Sequence, residues 1–131
     1  MTYSALNQYK QNTVYTATPE ELTLMLYDGC IKFMNIAKYN IENKNIQKSH
    51  EALLRAQDII MELRSTLDPS YQISNNLMSL YDFMRQRLID ANINKDIKPI
   101  EEVLELMTDL RDTWKEAMKQ VKKQVYGGRR V

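Results

Sequence analysis

The chain has 131 residues, 44% of them apolar and 27% charged, and a formal net charge of +1. Gly and Pro supply three residues each, about 5% together against a usual share of about 12%, which excludes a sheet-rich fold that would need a turn about every 8–12 residues. One Cys and one His exclude an intrachain disulfide and a zinc site made of Cys and His alone.

The length suits one domain, and the apolar content suffices for its core, so disorder along the whole chain is also excluded. Met1 to Tyr15 are polar, with Lys10 as the one charge and no apolar core of a signal peptide. Tyr3, Leu6, Tyr9, Val14 and Tyr15 are apolar bodies in this stretch, which is too short to hold a helix by itself. Residues 1–17 are therefore expected to be a mobile N-terminal segment.

Thr18-Pro19-Glu20-Glu21 reads as a helix start, with Thr as cap, Pro at the first helical position and Glu three residues past the cap. The first helix runs to about Asn43, with Leu22, Leu26, Gly29, Cys30, Phe33 and Ala37 as its apolar stripe. Asn45 caps a second helix, whose stripe is Ala52, Leu53, Ala56, Ile59, Ile60, Leu63 and Leu67. Asp68-Pro69-Ser70 ends it, because Pro cannot continue the hydrogen-bond ladder. A third helix begins near Tyr71 to Ser74 and carries Ile73, Leu77, Leu80, Tyr81, Met84, Leu88 and Ala91. Residues 92–98 read as a polar link, and Pro99 as the first turn of a fourth helix with Ile100, Val103, Leu104, Met107, Leu110, Trp114, Ala117 and Val121 inward. Gly127-Gly128 closes it. Four helices of similar length with short links make an all-α antiparallel four-helix bundle over residues 18–126, followed by a basic tail at 127–131.

Charge is distributed unevenly. Lys119, Lys122, Lys123, Arg129 and Arg130 follow Met118, while all 17 acidic residues precede Lys119. A mildly acidic body with a short basic end is only a weak argument for nucleic-acid binding and reads instead as a solvated helix terminus, so no nucleic-acid partner is expected. No apolar run is long enough to enter a membrane as a span. Asp90, Asn92, Asn94, Asp96 and Glu101 mimic the ligand spacing of a calcium loop, but Lys95 stands where Gly is needed and Pro99 falls inside. Cys30 reads as a core thiol and His50 as a solvent-facing residue. Gln47 stands where a di-iron bundle would have Glu, three before that His. No catalytic constellation, metal site or cofactor site is expected.

Several large apolar residues lie off the stripes: Leu24, Tyr27 and Ile31 in the first helix, Leu54 and Met61 in the second, Met78 and Ile89 in the third, Leu106 in the fourth. A monomeric bundle keeps its outward faces polar, so these residues are either core edges or a second apolar surface that binds protein. Leu24 and Ile31 lie opposite the first helix's stripe and are expected on that surface. Of the eight Met residues, Met25, Met34, Met84 and Met107 read as core.

Four ordered blocks carry a resemblance. They are Thr16-Ala17-Thr18-Pro19-Glu20-Glu21-Leu22 continuing to Met25-Leu26-Tyr27-Asp28-Gly29; Ala56-Gln57-Asp58-Ile59-Ile60; Leu80-Tyr81-Asp82-Phe83-Met84 with Leu88-Ile89-Asp90-Ala91-Asn92; and Ile100-Glu101-Glu102-Val103 with Leu110-Arg111-Asp112-Thr113-Trp114-Lys115. Nearly end to end, the chain resembles the FliS family of flagellin chaperones. The resemblance implies a cytoplasmic, non-enzymatic protein. It would bind the disordered C-terminal segment of flagellin, prevent its premature polymerisation and deliver it to the export gate of the flagellar type III apparatus. It also implies that the N-terminal segment covers part of the binding surface or contacts the gate, a role that falls on Leu6, Tyr9 and Val14. The competing expectation is a bundle that uses its spare apolar face to form a homodimer.

Overall fold

The computed structural model describes residues 16–128, with side chains through Gln124. Four helices follow one another: α1 (Pro19–Glu42), α2 (Ile46–Ser65), α3 (Gln72–Asn94) and α4 (Ile97–Gly128). The start of α1 follows the expected capping chemistry. Thr18 is extended, its Oγ1 accepts from Glu21 N at 3.1 Å, and Pro19 occupies the first turn. Asn45 caps α2 in the same way, its Oδ1 accepting from Lys48 N at 3.2 Å.

The third link is shorter than expected. Residues 92–94 continue α3, and the chain reverses over 95–96. Lys95 takes the left-handed conformation at φ 50° and ends α3. Asp96 Oδ1 then accepts from Lys98 N at 3.0 Å and opens α4. Polar composition at 92–94 marked an exposed helix end and not a loop, and with Asp90, Asn92 and Asn94 all helical the calcium-loop spacing has no loop to occupy. The helices are also unequal: 24, 20, 23 and 32 residues. At about 1.5 Å per residue, α4 outruns α2 by about 18 Å.

The packing order is a closed ring. Helix α1 lies against α2 and α4, and α3 lies against the same two, so α1 and α3 are diagonal. Short links make neighbours antiparallel. The core runs through Cys30, Met34 and Ala37 of α1, Leu53, Ala56 and Ile60 of α2, Met84 and Leu88 of α3, and Ile100, Val103 and Met107 of α4, all fully buried. Helices α1 and α2 approach closely at Gly29, where an added Cβ would stand 3.3 Å from Ile59 Cδ1.

The inward face of α1 is turned from the expected one. Tyr27 and Met34 are buried, whereas Leu22 and Phe33 are only half-buried. Cys30 and Ala37 of the expected stripe keep their place in the core. The real face is the bisector between two partners, α2 on one side and α4 on the other. Ile73 and Val121 also depart from their stripes, being 65% and 58% exposed. Each lies near the end of its helix, where the ring of partners runs out.

Candidate functional site

Cross-helix contacts fix which flank of each helix faces which neighbour. Between α2 and α3, Arg64 Nε donates to Asp82 Oδ1 at 2.8 Å, and the side chains of His50 and Asn92 meet at 2.9 Å. Leu54 follows His50 by four residues, and Met61 precedes Arg64 by three. Both therefore stand on the flank of α2 that faces α3. Met78 precedes Asp82 by four and Ile89 precedes Asn92 by three, which puts them on the facing flank of α3. These four sequence-derived candidates line one outward seam. Leu54 and Met61 are each 42% exposed, and Met78 and Ile89 are half-buried.

The seam is longer than the candidates alone indicated. Tyr71 lies seven residues before Met78 and Ile93 four after Ile89, and they are 63% and 74% exposed. Ile46, 63% exposed, lies eight before Leu54. The heptad from Tyr71 to Met78 is the sequence signal for it, with Tyr71 at the N-cap of α3. From Ile46 to Met61 the apolar row covers about 22 Å, the length of a four-turn helix.

The remaining candidates go elsewhere. Arg111 reaches Asp28 at 3.4 Å, and Lys38 reaches Glu101 at 3.9 Å, so these mark the α1–α4 seam. Leu24 is four residues before Asp28 and Ile31 three after it, which places both on this seam. Leu24 is half-buried, and Ile31 packs against the core. For Ile31 the expected face opposite the core is corrected by α4, which closes over that flank, while Leu24 keeps part of its surface at the seam. Tyr27 is a fuller correction. It is 4% exposed, with its hydroxyl 2.8 Å from that of Tyr81 on the diagonal helix, and it presents no surface to a partner. Burial raises both tyrosines above the usual phenol range; their shared hydrogen bond lowers Tyr27 and raises Tyr81 further. Leu106 lies four residues after Glu102, which pairs with Arg87 of α3 at 3.1 Å. It therefore belongs to the α3–α4 seam, half-buried against the core. Leu6, Tyr9 and Val14 lie outside the described residues.

The open end of the bundle has its own cleft, of about 420 Å³, between the start of α1 and the late turns of α4. Thr18, Glu21, Trp114, Met118 and Val121 line it. Trp114 anchors α4 there, its Nε1 donating to Glu20 O at 2.9 Å.

Chemistry is sparse. Cys30 is fully buried, its Sγ 3.7 Å from Ala56 O, and burial pushes its thiol up to about 12. An un-ionised, enclosed thiol is not a nucleophile. Among the described residues no group of three His, Cys, Asp or Glu side chains could hold a metal ion, and no helix is long and apolar enough to cross a membrane. The arrangement offers apolar seams and adaptable Met side chains, which suit capture of a polypeptide.

Comparison with known proteins gives the family. The model of the family described as "Flagellar protein FliS" matches residues 2–121. The chain is 45% identical over 119 residues to the flagellar secretion chaperone FliS of Bacillus subtilis (strain 168), covering 91% of this chain and 90% of that one. It is 34% identical over 122 residues to the flagellar secretion chaperone FliS of Salmonella typhimurium, covering 88% and 90%. A crystal structure described as a flagellar chaperone from bacteria shares the fold, with a TM-score of 0.73 at 23% identity over 92% of this chain and 99% of that one. A four-helix bundle with apolar seams, matched over nearly its whole length by these relatives, belongs to the FliS family of flagellar secretion chaperones.

Proposed function

We propose that this chain is a cytoplasmic chaperone that captures the disordered C-terminal segment of flagellin, keeps it from polymerising and delivers it to the flagellar export gate. The observation that carries the reading is the α2–α3 seam, where Leu54 and Met61 stand a heptad apart, each 42% exposed, opposite Met78 and Ile89. A segment that folds on binding needs such a surface to offset the entropy of its ordering. An amphipathic helix of the partner lays its apolar face into the groove, with Met supplying adaptable contacts. Leu24 and Leu106 extend the contact onto the neighbouring seams. Leu6, Tyr9 and Val14 serve as a cover for part of this surface or as a contact for the gate.

Calorimetric titration with a flagellin C-terminal fragment tests the reading. Binding is expected, with little dependence on moderate salt because its source is apolar area. Leu54→Glu combined with Met61→Glu is expected to weaken it by at least about 100-fold, since charges on a groove floor must be desolvated, while far-ultraviolet circular dichroism stays unchanged. No binding at tens of micromolar, or full binding by the double variant, would overturn the proposal. Sedimentation over a concentration series separates this from homodimerisation: a dimer that persists with the fragment bound would assign the seam to self-association.

A further inference from the structure

The core stops at one level of the bundle. The buried apolar residue nearest the open end is Tyr27 in α1, Leu63 in α2, Tyr81 in α3 and Met107 in α4. At the other end burial runs to within about one turn of the links, through Asn40, Ser49, Ala91 and Ile100. The open end is different. Tyr27 is the ninth residue of α1 and Tyr81 the tenth of α3, and no apolar side chain before either in its helix is buried. Leu26, Leu77 and Leu80 keep the core spacing, yet each is half-buried. Helix α4 runs 21 residues past Met107 with Leu110, Trp114 and Met118 half-buried as well.

A belt of polar contacts lies at this level and ties all four helices. Leu26-Tyr27-Asp28 in α1 and Leu80-Tyr81-Asp82 in α3 are the same tripeptide on the two diagonal helices. The tyrosine hydroxyls meet across the bundle at 2.8 Å. Each aspartate turns outward to a neighbouring helix: Asp28 accepts from Arg111 of α4 at 3.4 Å, and Asp82 accepts from Arg64 of α2 at 2.8 Å. Parting the helices at the belt would expose two buried rings and break their shared hydrogen bond. Parting them beyond it exposes side chains that water already reaches, beside a cleft of about 420 Å³ that is already open. The Trp114 Nε1 to Glu20 O hydrogen bond lies on that side, but it is solvent-exposed, so water can take its place.

We infer that the Tyr27–Tyr81 belt is a latch that divides the bundle into a sealed half and a half that opens. The opening half is made of the first two turns of α1 and of α3 together with α4 from Leu110 onward. It loosens while the sealed half stays folded. This lies beyond the cargo-binding reading, because it is a property of the chain before any partner is bound.

Hydrogen exchange of the full-length chain alone, read by mass spectrometry, tests the division. Amides of residues 23–26, 76–80 and 110–118 are expected to exchange at least about 100-fold faster than those of 30–40, 84–91 and 100–107. Equal rates on the two sides of the belt would overturn the inference. Tyr27→Phe combined with Tyr81→Phe keeps both rings and removes the hydroxyl pair. It is expected to speed exchange in the next turn, at 30–34 and 84–88, about 10-fold relative to 49–53 and 100–103 at the far end. A uniform rise through the sealed half would be a loss of stability alone and would overturn the latch, as would no rise at all. Cys30 lies three residues inside the belt, and its thiol is expected to be labelled faster in the double variant than in the parent. Unchanged labelling would count against the latch in the same way.

Discussion

The α1–α4 seam and the α2–α3 seam start from the same kind of sequence and end differently. Each carries apolar residues off the main stripe, and each is crossed by an arginine–aspartate contact, Arg111 with Asp28 and Arg64 with Asp82. In the first seam Ile31 packs into the core and Tyr27 is sealed beneath it, while α4 is locked to α1 again by Trp114 on Glu20. In the second, Leu54 and Met61 remain 42% exposed, and Tyr71 and Ile93 continue the apolar row at its ends. An apolar residue off the core stripe is thus not a binding residue by itself. It is accessible to a partner only where the neighbouring helix leaves its flank open.

Substitutions can break that contrast. Ile31→Ala is expected to destabilise the fold by about 1–3 kcal/mol, as loss of packing against the core, while Leu54→Ala is expected to change stability by about 0.5 kcal/mol. Equal losses in denaturant titrations would mean that the two seams are packed alike. Tyr27→Phe is expected to destabilise by about 1–2 kcal/mol because the buried Tyr81 hydroxyl loses its partner. Adding Tyr81→Phe is expected to recover part of the loss, which a double-mutant cycle would read directly.

The pH dependence follows from Cys30. Its thiol is pushed up to about 12 in the fold, against an ordinary value of 9.0 when unfolded. Between those values the unfolded chain has released a proton that the folded chain keeps, so this group's contribution to stability is lost as pH rises from about 9 to about 12. Below 9 the contribution is flat. Thiol labelling at mildly alkaline pH should therefore track global unfolding. Fast labelling of the folded protein would show that the α1–α2 interface opens locally. The smallest effects belong to the ion pairs. Arg111→Ala and Arg64→Ala should each change stability by less than about 1 kcal/mol, and by less again in high salt, because both pairs are solvent-screened.

Much of the fold is legible in the residues taken one segment at a time. Thr18-Pro19 and Asn45 have local capping chemistry that acts whatever the rest of the chain does, and Pro69 keeps the link after Ser65 from continuing as helix. The number of helices and their antiparallel order follow from these stops and from links too short for any other course. Other features are set between helices. The 92–94 stretch is polar enough for a loop, yet it stays helical because Lys95 adopts the left-handed turn that ends α3 one residue later. Whether Leu24, Tyr27, Ile31, Leu54 and Met61 are core or surface depends on the rotation of each helix about its axis. Local periodicity leaves that angle loose by the width of a flank. The tertiary structure decided it, because burial is shared between two neighbours and the buried face of a helix is the bisector between them.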